Sequence, residues 1–230
     1  MTGNVHTAAT TGAAGTAAEG APPSSSAVSG MAHMRRWPDS LTFVVLAGGR
    51  SSRFGSDKLM APVRGQPLLQ RVLAEIPAGF PTIVAGASFK LESVDLHGAV
   101  VVSESPSHGG PLAGLLAATD HIGTAGVLVI GGDMPNVVAG ALRLAARFDP
   151  ARPTAFVATD RSGHAQPLCS LIPVDVLREA TIVFGDGRDR PLRALLDLAR
   201  PQRVHVPDDF LSDIDRPEDL DRLQATVNKA

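Results

Sequence analysis

Between Thr42 and Lys58 the chain reads Thr42-Phe43-Val44-Val45-Leu46-Ala47-Gly48-Gly49-Arg50-Ser51-Ser52-Arg53-Phe54-Gly55-Ser56-Asp57-Lys58. No other stretch limits its fold as strongly. An apolar, β-branched run of this length suits a buried strand. It breaks directly into a glycine-rich, basic loop that ends in a lysine. Adjacent Gly48 and Gly49 allow positive φ and close approach of a ligand to the main chain. Successive N–H groups can then face one concavity and hold an anion. Arg50, Arg53 and Lys58 place positive charge around it. The chemistry this suits is binding of a triphosphate.

The loop differs from the two commonest phosphate loops. Ser51 and Arg53 stand where a GxGxxG turn needs glycine, and Lys58 lies between Asp57 and Leu59 rather than before Ser or Thr. Downstream, Leu68, Leu69, Val72, Leu73 and Ile76 recur at helical spacing, predicting a helix over 67–76 that opens on Pro67. Strands are expected at 82–85, 99–102 and 127–130, and helices at 110–118 and 137–148. After these, strands at 156–158 and 168–172 flank a polar turn at Asp160–Gly163, and helices are expected at 192–198 and 218–227. Alternating short strands and helices predict an α/β fold with a mostly parallel sheet and helices on both faces. Ligands of such sheets bind beyond the carboxyl ends of the strands. The Gly48–Lys58 loop and Gly131-Gly132-Asp133 both follow strands, so one shared edge is expected to carry the site.

Asp133, between glycines and Pro135, is a rigidly placed carboxylate. It suits a hard cation that bridges phosphate oxygens, and it equally suits a cap for the following helix. In Leu211-Ser212-Asp213-Ile214-Asp215-Arg216-Pro217-Glu218-Asp219-Leu220, alternation puts Asp213 and Asp215 on one side and Ile214 on the other. Glu218 and Asp219 sit at the positive end of the helix that follows and read as structural.

A net charge of −2 and the absence of Tyr give no footprint for nucleic acid. Cys169 is the one cysteine, which excludes an intrachain disulfide and fits a reducing compartment. In its apolar segment it reads as a small buried hydrophobe. No stretch has the length of a membrane span or the pattern of a secretory signal, so a cytoplasmic location is expected. Residues 1–37, rich in Ala, Thr, Gly and Ser, are expected to be a disordered tail, and 38–230 one domain.

Leu46-Ala47-Gly48-Gly49, Ser52-Arg53-Phe54-Gly55 and Asp57-Lys58 together resemble the signature of the MobA-like nucleotidyltransferases. The resemblance runs from Thr42 to about Leu223 and includes Gly109-Gly110-Pro111-Leu112, the Asp133-Met134-Pro135 turn, Gln166-Pro167-Leu168, the basic stretch Gly187–Arg193 and the Asp213–Leu220 block. It implies a three-layer fold like that of the nucleotide-diphospho-sugar transferases, which is Rossmann-like. It further implies transfer of GMP from GTP to molybdopterin or molybdenum cofactor, with Mg²⁺ and release of pyrophosphate. Carried over, Leu46, Ala47, Gly48, Gly49, Gly110, Pro111 and Leu112 border the nucleotide. Arg53, Lys58 and Asp133 are catalytic, and Asp133 holds Mg²⁺. Asp213 and Asp215 face the acceptor, and Arg188, Arg190 and Arg193 lie on its side. Glu104 stands where guanylyl-transferring members have Asp, and a carboxylate there can accept from guanine N1–H and the 2-amino group. Asp213 and Asp215 depart from the Asn of those members toward the cytidylyl-transferring ones, so CTP stays open as donor. Another phosphorylated acceptor, or a non-catalytic partner of a molybdoenzyme or its maturation factor, stays open too.

Overall fold

The computed structural model describes residues 37–48, 57–86, 91, 94–104, 109–216 and 218–222. The tail at 1–36, Gly49 to Ser56 with Arg50 and Arg53, His108 and the end of the last expected helix fall outside them.

A single helical turn, α1 (Trp37–Ser40), leads into β1 (Leu41–Leu46). A two-stranded hairpin follows, β2 (Pro62–Val63) with β3 (Gln66–Pro67), then α2 (Leu68–Ala74), β4 (Thr82–Ala85) and β5 (Val100–Val102). Next come α3 (Pro111–Ala117), β6 (Gly126–Gly131), α4 (Val137–Ala145), β7 (Phe156–Thr159) and β8 (Ala165–Pro173). The chain closes through α5 (Val174–Phe184), α6 (Arg193–Ala199) and β9 (Gln202–His205). Seven strands form one sheet in the order β5-β4-β1-β6-β8-β7-β9, and β8 alone runs against its neighbours β6 and β7.

The period-two alternation of β1 sorts its side chains between two cores. Leu41, Phe43 and Val45 pack with Leu69 and Val72 of α2 and Val137, Ala141 and Leu144 of α4. Val44 and Leu46 pack on the other face with Leu112 and Leu115 of α3, Leu177 of α5 and Leu195 of α6. β1 is buried along its whole length because helices cover both faces, which is why it reads as a continuous apolar run. The three-layer, mostly parallel arrangement is the one expected.

Besides the opening turn α1, which includes Trp37 of the expected tail, three features were not expected. α5 begins at Val174 directly after β8, and its β-branched residues extend the apolar run of that strand in sequence. β9 contains a single buried residue, Val204, so it carries no visible alternation. The β2–β3 hairpin turns through Arg64 and Gly65, both at positive φ, as a two-residue loop demands. Pro67 stands one position earlier than expected, as the N-cap of α2 and the last residue of β3.

Candidate active site

The carboxyl ends of β1, β4, β5 and β6 meet at one edge. Leu46 of β1 is level with Gly131 of β6 and with Ala85 of β4. The chain leaving each strand stays tied to its neighbour: Ala47 N–H donates to Ala85 O at 2.8 Å, Gly132 N–H to Leu46 O at 3.0 Å, and Gly86 N–H to Val102 O at 3.0 Å. These bonds extend the sheet past its ends and fix where the loops begin.

Gly48 and Gly86 make that edge possible. A Cβ on Gly48 would stand 3.0 Å from Gly86 O, and Gly86 itself sits at φ +79° with Gly48 Cα only 3.3 Å from where its Cβ would be. A side chain at either position would separate the two backbones. Gly86 escaped the sequence reading, although a lone glycine closing an apolar strand is a signal of close backbone approach.

On the β6 side, Gly131 leaves room for Asp133 to fold back: a Cβ there would lie 2.7 Å from Asp133 Oδ1. Asp133 does not cap α4, whose N-cap residue is Asn136. Its carboxylate instead meets Lys58, with Nζ to Oδ2 at 2.6 Å. Lys58 opens a short 3₁₀ turn that Asp57 caps by accepting from Leu59 N–H at 3.2 Å. The same ammonium donates to Asp215 Oδ1 at 3.0 Å, across 157 residues of sequence.

The segment carrying Asp213 and Asp215 is pinned on several sides. Ile214 is buried against Val63 and Leu68, and its N–H donates to Asp133 O at 3.0 Å. Asp219 accepts from the backbone N–H of Asp215 and of Arg216, the structural role expected of it. Upstream, Arg161 and Asp208 form an ion pair at 2.7 Å, Asn136 donates to Asp209 O, and Arg143 lies over the Phe210 ring at 5.5 Å. The result brings carboxylate oxygens of Asp133, Asp213 and Asp215 within 4.8 Å of one another.

The electrostatics follow from this crowding. Burial works against the Lys58 ammonium, but the Asp133 and Asp215 carboxylates more than offset it and hold its pKa above the ordinary lysine value. The Asp213 carboxyl is raised, by burial first and then by the charges of Asp215 and Asp133. An all-oxygen acidic set of this kind can take a hard divalent cation.

Glu104 follows β5 and lines a cavity of about 210 Å³ with Gly109, Ala113, Thr181, Asp186 and Arg188. Gly110, at φ +92°, caps the α3 that Pro111 and Leu112 begin. Leu46, Ala47 and Gly48 lie at the shared edge. Arg190 stacks on the Phe184 ring at 5.3 Å. Gly49 and Arg53 are outside the described residues. Among the described residues no helix is long and apolar enough to cross a membrane.

A family model described as "MobA-like NTP transferase domain" matches residues 43–204. The chain is 30% identical over 174 residues to a molybdenum cofactor guanylyltransferase of Vibrio cholerae, covering 74% of this chain and 84% of that protein. It is 33% identical over 187 residues to a probable molybdenum cofactor guanylyltransferase of Deinococcus radiodurans, covering 80% and 93%. Among solved structures, the molybdopterin-guanine dinucleotide biosynthesis protein A of Archaeoglobus fulgidus shares the fold, with a TM-score of 0.61 at 23% identity, covering 82% of this chain and all of that one.

Proposed function

The chain belongs to the MobA-like NTP transferase family, and on that premise we propose that it is a molybdenum cofactor guanylyltransferase, moving GMP from GTP to the terminal phosphate of molybdopterin or molybdenum cofactor and releasing pyrophosphate. The observation that carries the reading is the contact of Lys58 with Asp133 at 2.6 Å, at the strand edge where Asp213 and Asp215 also arrive. A cation beside a carboxylate cluster is what a triphosphate with its counter-ion requires.

In this reading Gly48 and Gly49 offer backbone N–H groups to the phosphates. Lys58 and Arg53 neutralise the triphosphate and the pyrophosphate that leaves. Lys58 turns from the carboxylates to the nucleotide as it arrives, since the donor brings its own negative charge. Asp133, with Asp215 or Asp213 beside it, would hold Mg²⁺, which supplies Lewis-acid stabilisation of developing charge when bound. No general base is needed, because the attacking phosphate is already ionised at neutral pH. The protein's part is positioning and charge stabilisation. Asp213 and Asp215 orient the acceptor, and their charge keeps its phosphate out until a cation is in place.

Glu104 supports GTP as donor. Its carboxylate lines the cavity beside α3 and can accept from guanine N1–H and N2–H, a donor pair cytosine lacks. The test is pyrophosphate release with Mg²⁺ and molybdenum cofactor, giving GTP and CTP separately to wild type and Glu104→Gln. Turnover with GTP that drops at least ten-fold in the variant is the expected result. A preference for CTP would transfer the protein to cytidylyl chemistry. No release with either would remove the catalytic reading.

A further inference from the structure

The edge of the sheet away from Lys58 carries an apolar groove of about 500 Å³. It lies where α2 ends and β4 begins, at the amino ends of the strands rather than their carboxyl ends. Ile76, Phe80 and Leu96 supply its apolar wall, and all three pack against the core on the α2 face. The Phe80 ring is held edge-on to Phe43, with centroids 5.2 Å apart. Glu75, the C-cap of α2, is the one carboxylate among the lining residues, and neither Lys nor Arg is among them. Glu75 forms no ion pair among the described residues, whereas His97, the other titratable group of the lining, lies 3.8 Å from Asp95. A carboxylate at a helix C-terminus meets the negative end of the dipole, so a cation is the neighbour that position favours.

The first described residues lie against the rim of this groove. A Cβ added at Gly79, φ +95°, would stand 3.8 Å from the Pro38 ring, and Trp37 packs on the same core as Ile76 and Phe80. Residues 1–36 precede that point, and the last of them read Met31-Ala32-His33-Met34-Arg35-Arg36. Six extended residues reach roughly 20 Å, so the groove is within range of each of them. The segment joins two unbranched apolar side chains to two adjacent cations. Methionine fills irregular apolar gaps and makes favourable contacts with aromatic rings. Glu19 is the one acidic residue in 1–36, so nothing in the segment itself offsets Arg35 and Arg36. Apolar wall and acidic rim are complementary to what the chain brings there.

We propose that this groove is the docking site of the chain's own segment 31–36, with Met31 and Met34 against Ile76, Phe80 and Leu96, and Arg35 and Arg36 beside Glu75. The covalent link gives the segment an effective concentration in the millimolar range, which lets a contact of this size hold. A second copy of the chain would bring the same residues without that advantage. The inference does not depend on the reaction proposed above, whose site lies at the other end of the strands.

Methyl NMR of the full chain, labelled with carbon-13 at methionine, tests it. Met31→Leu and Met34→Leu assign the two resonances, and Met134, fully buried, reports that the fold is intact. In dilute wild type both methyls are expected away from their positions in urea, with nuclear Overhauser contacts to the Phe80 ring. Glu75→Arg is an exposed change that suits a helix C-terminus. It should lower the docked population at least about three-fold, and Arg35→Glu/Arg36→Glu should do the same. Combining the two sets exchanges the charges and should restore docking. Methyls at their urea positions in wild type, or charge reversals without effect, overturn the proposal. Displacement that appears only as concentration rises, with a doubling of mass by light scattering, assigns the groove to a second copy and overturns it as well.

Discussion

Replacing Lys58 with Met probes the centre of the site most directly. The substitution keeps most of the aliphatic stem and removes the charge. What remains is three carboxylates whose oxygens lie within 4.8 Å of one another. At an effective dielectric near 20, two unit charges about 4.8 Å apart repel by roughly 3.5 kcal/mol, so losing the ammonium from the cluster is costly. Much of that is screened: Asp215 is 47% exposed, against 16% for Asp133. The discounted loss is about 1–2 kcal/mol, or roughly 3–6 °C in thermal midpoint for a domain of this size. The raised Lys58 pKa fixes the pH window. Stability from a raised lysine is complete below its unfolded value and disappears only as pH climbs through the folded one, so the full difference is present at pH 7. Millimolar Mg²⁺ should restore most of the lost stability, since a divalent ion among the carboxylates replaces the ammonium. Turnover should still fall on the order of 10²-fold, because the lysine's contact with the triphosphate is gone. Thermal melts with and without Mg²⁺, beside a pyrophosphate-release assay, read both effects. A variant as stable as wild type without metal, or one that Mg²⁺ fails to rescue, would falsify the account of a shared charge balance.

Other consequences are checked more simply. Asp213→Asn should raise stability at pH 7 by a few tenths of a kcal/mol, since a carboxyl with a raised folded pKa costs stability above that pKa. The advantage should vanish as pH falls through the folded pKa, and a pH series of melts that shows no such convergence refutes the like-charge argument. Gly86→Ala places a Cβ 3.3 Å from Gly48 Cα at φ +79°, and urea unfolding should show a loss of about 2 kcal/mol; a loss under 0.5 kcal/mol is incompatible with the close approach. Burial pushes the Cys169 thiol up to about 12. Its labelling by a disulfide reagent at pH 8 should therefore be on the order of 10³-fold slower in the native protein than in urea, and comparable rates would contradict its place in the core.

The apolar run Thr42–Leu46, its glycine exit and the strand before Asp133 were legible because each is local. A strand buried on both faces is continuously apolar, and a backbone that must approach a neighbour needs glycine whatever surrounds it. Alternation alone also placed Ile214 opposite Asp213 and Asp215. The second half hid its structure for equally physical reasons. α5 is written in β-branched residues that resemble an extension of β8, and the reversal of β8 depends on which strand it pairs with, not on its composition. β9 is an edge strand with one apolar side chain to show. Lys58 and Asp215 lie 157 residues apart, and no spacing rule joins positions so distant. Their meeting was decided by the tertiary structure: the Ile214 anchor, the bond from Ile214 N–H to Asp133 O, and the clasp of Arg161 and Asn136 on the segment before it. Sequence determines which residues can carry charge and where the chain can turn. Only packing determines which charges come within reach, because Coulomb energy depends on distance in space and is indifferent to separation along the chain.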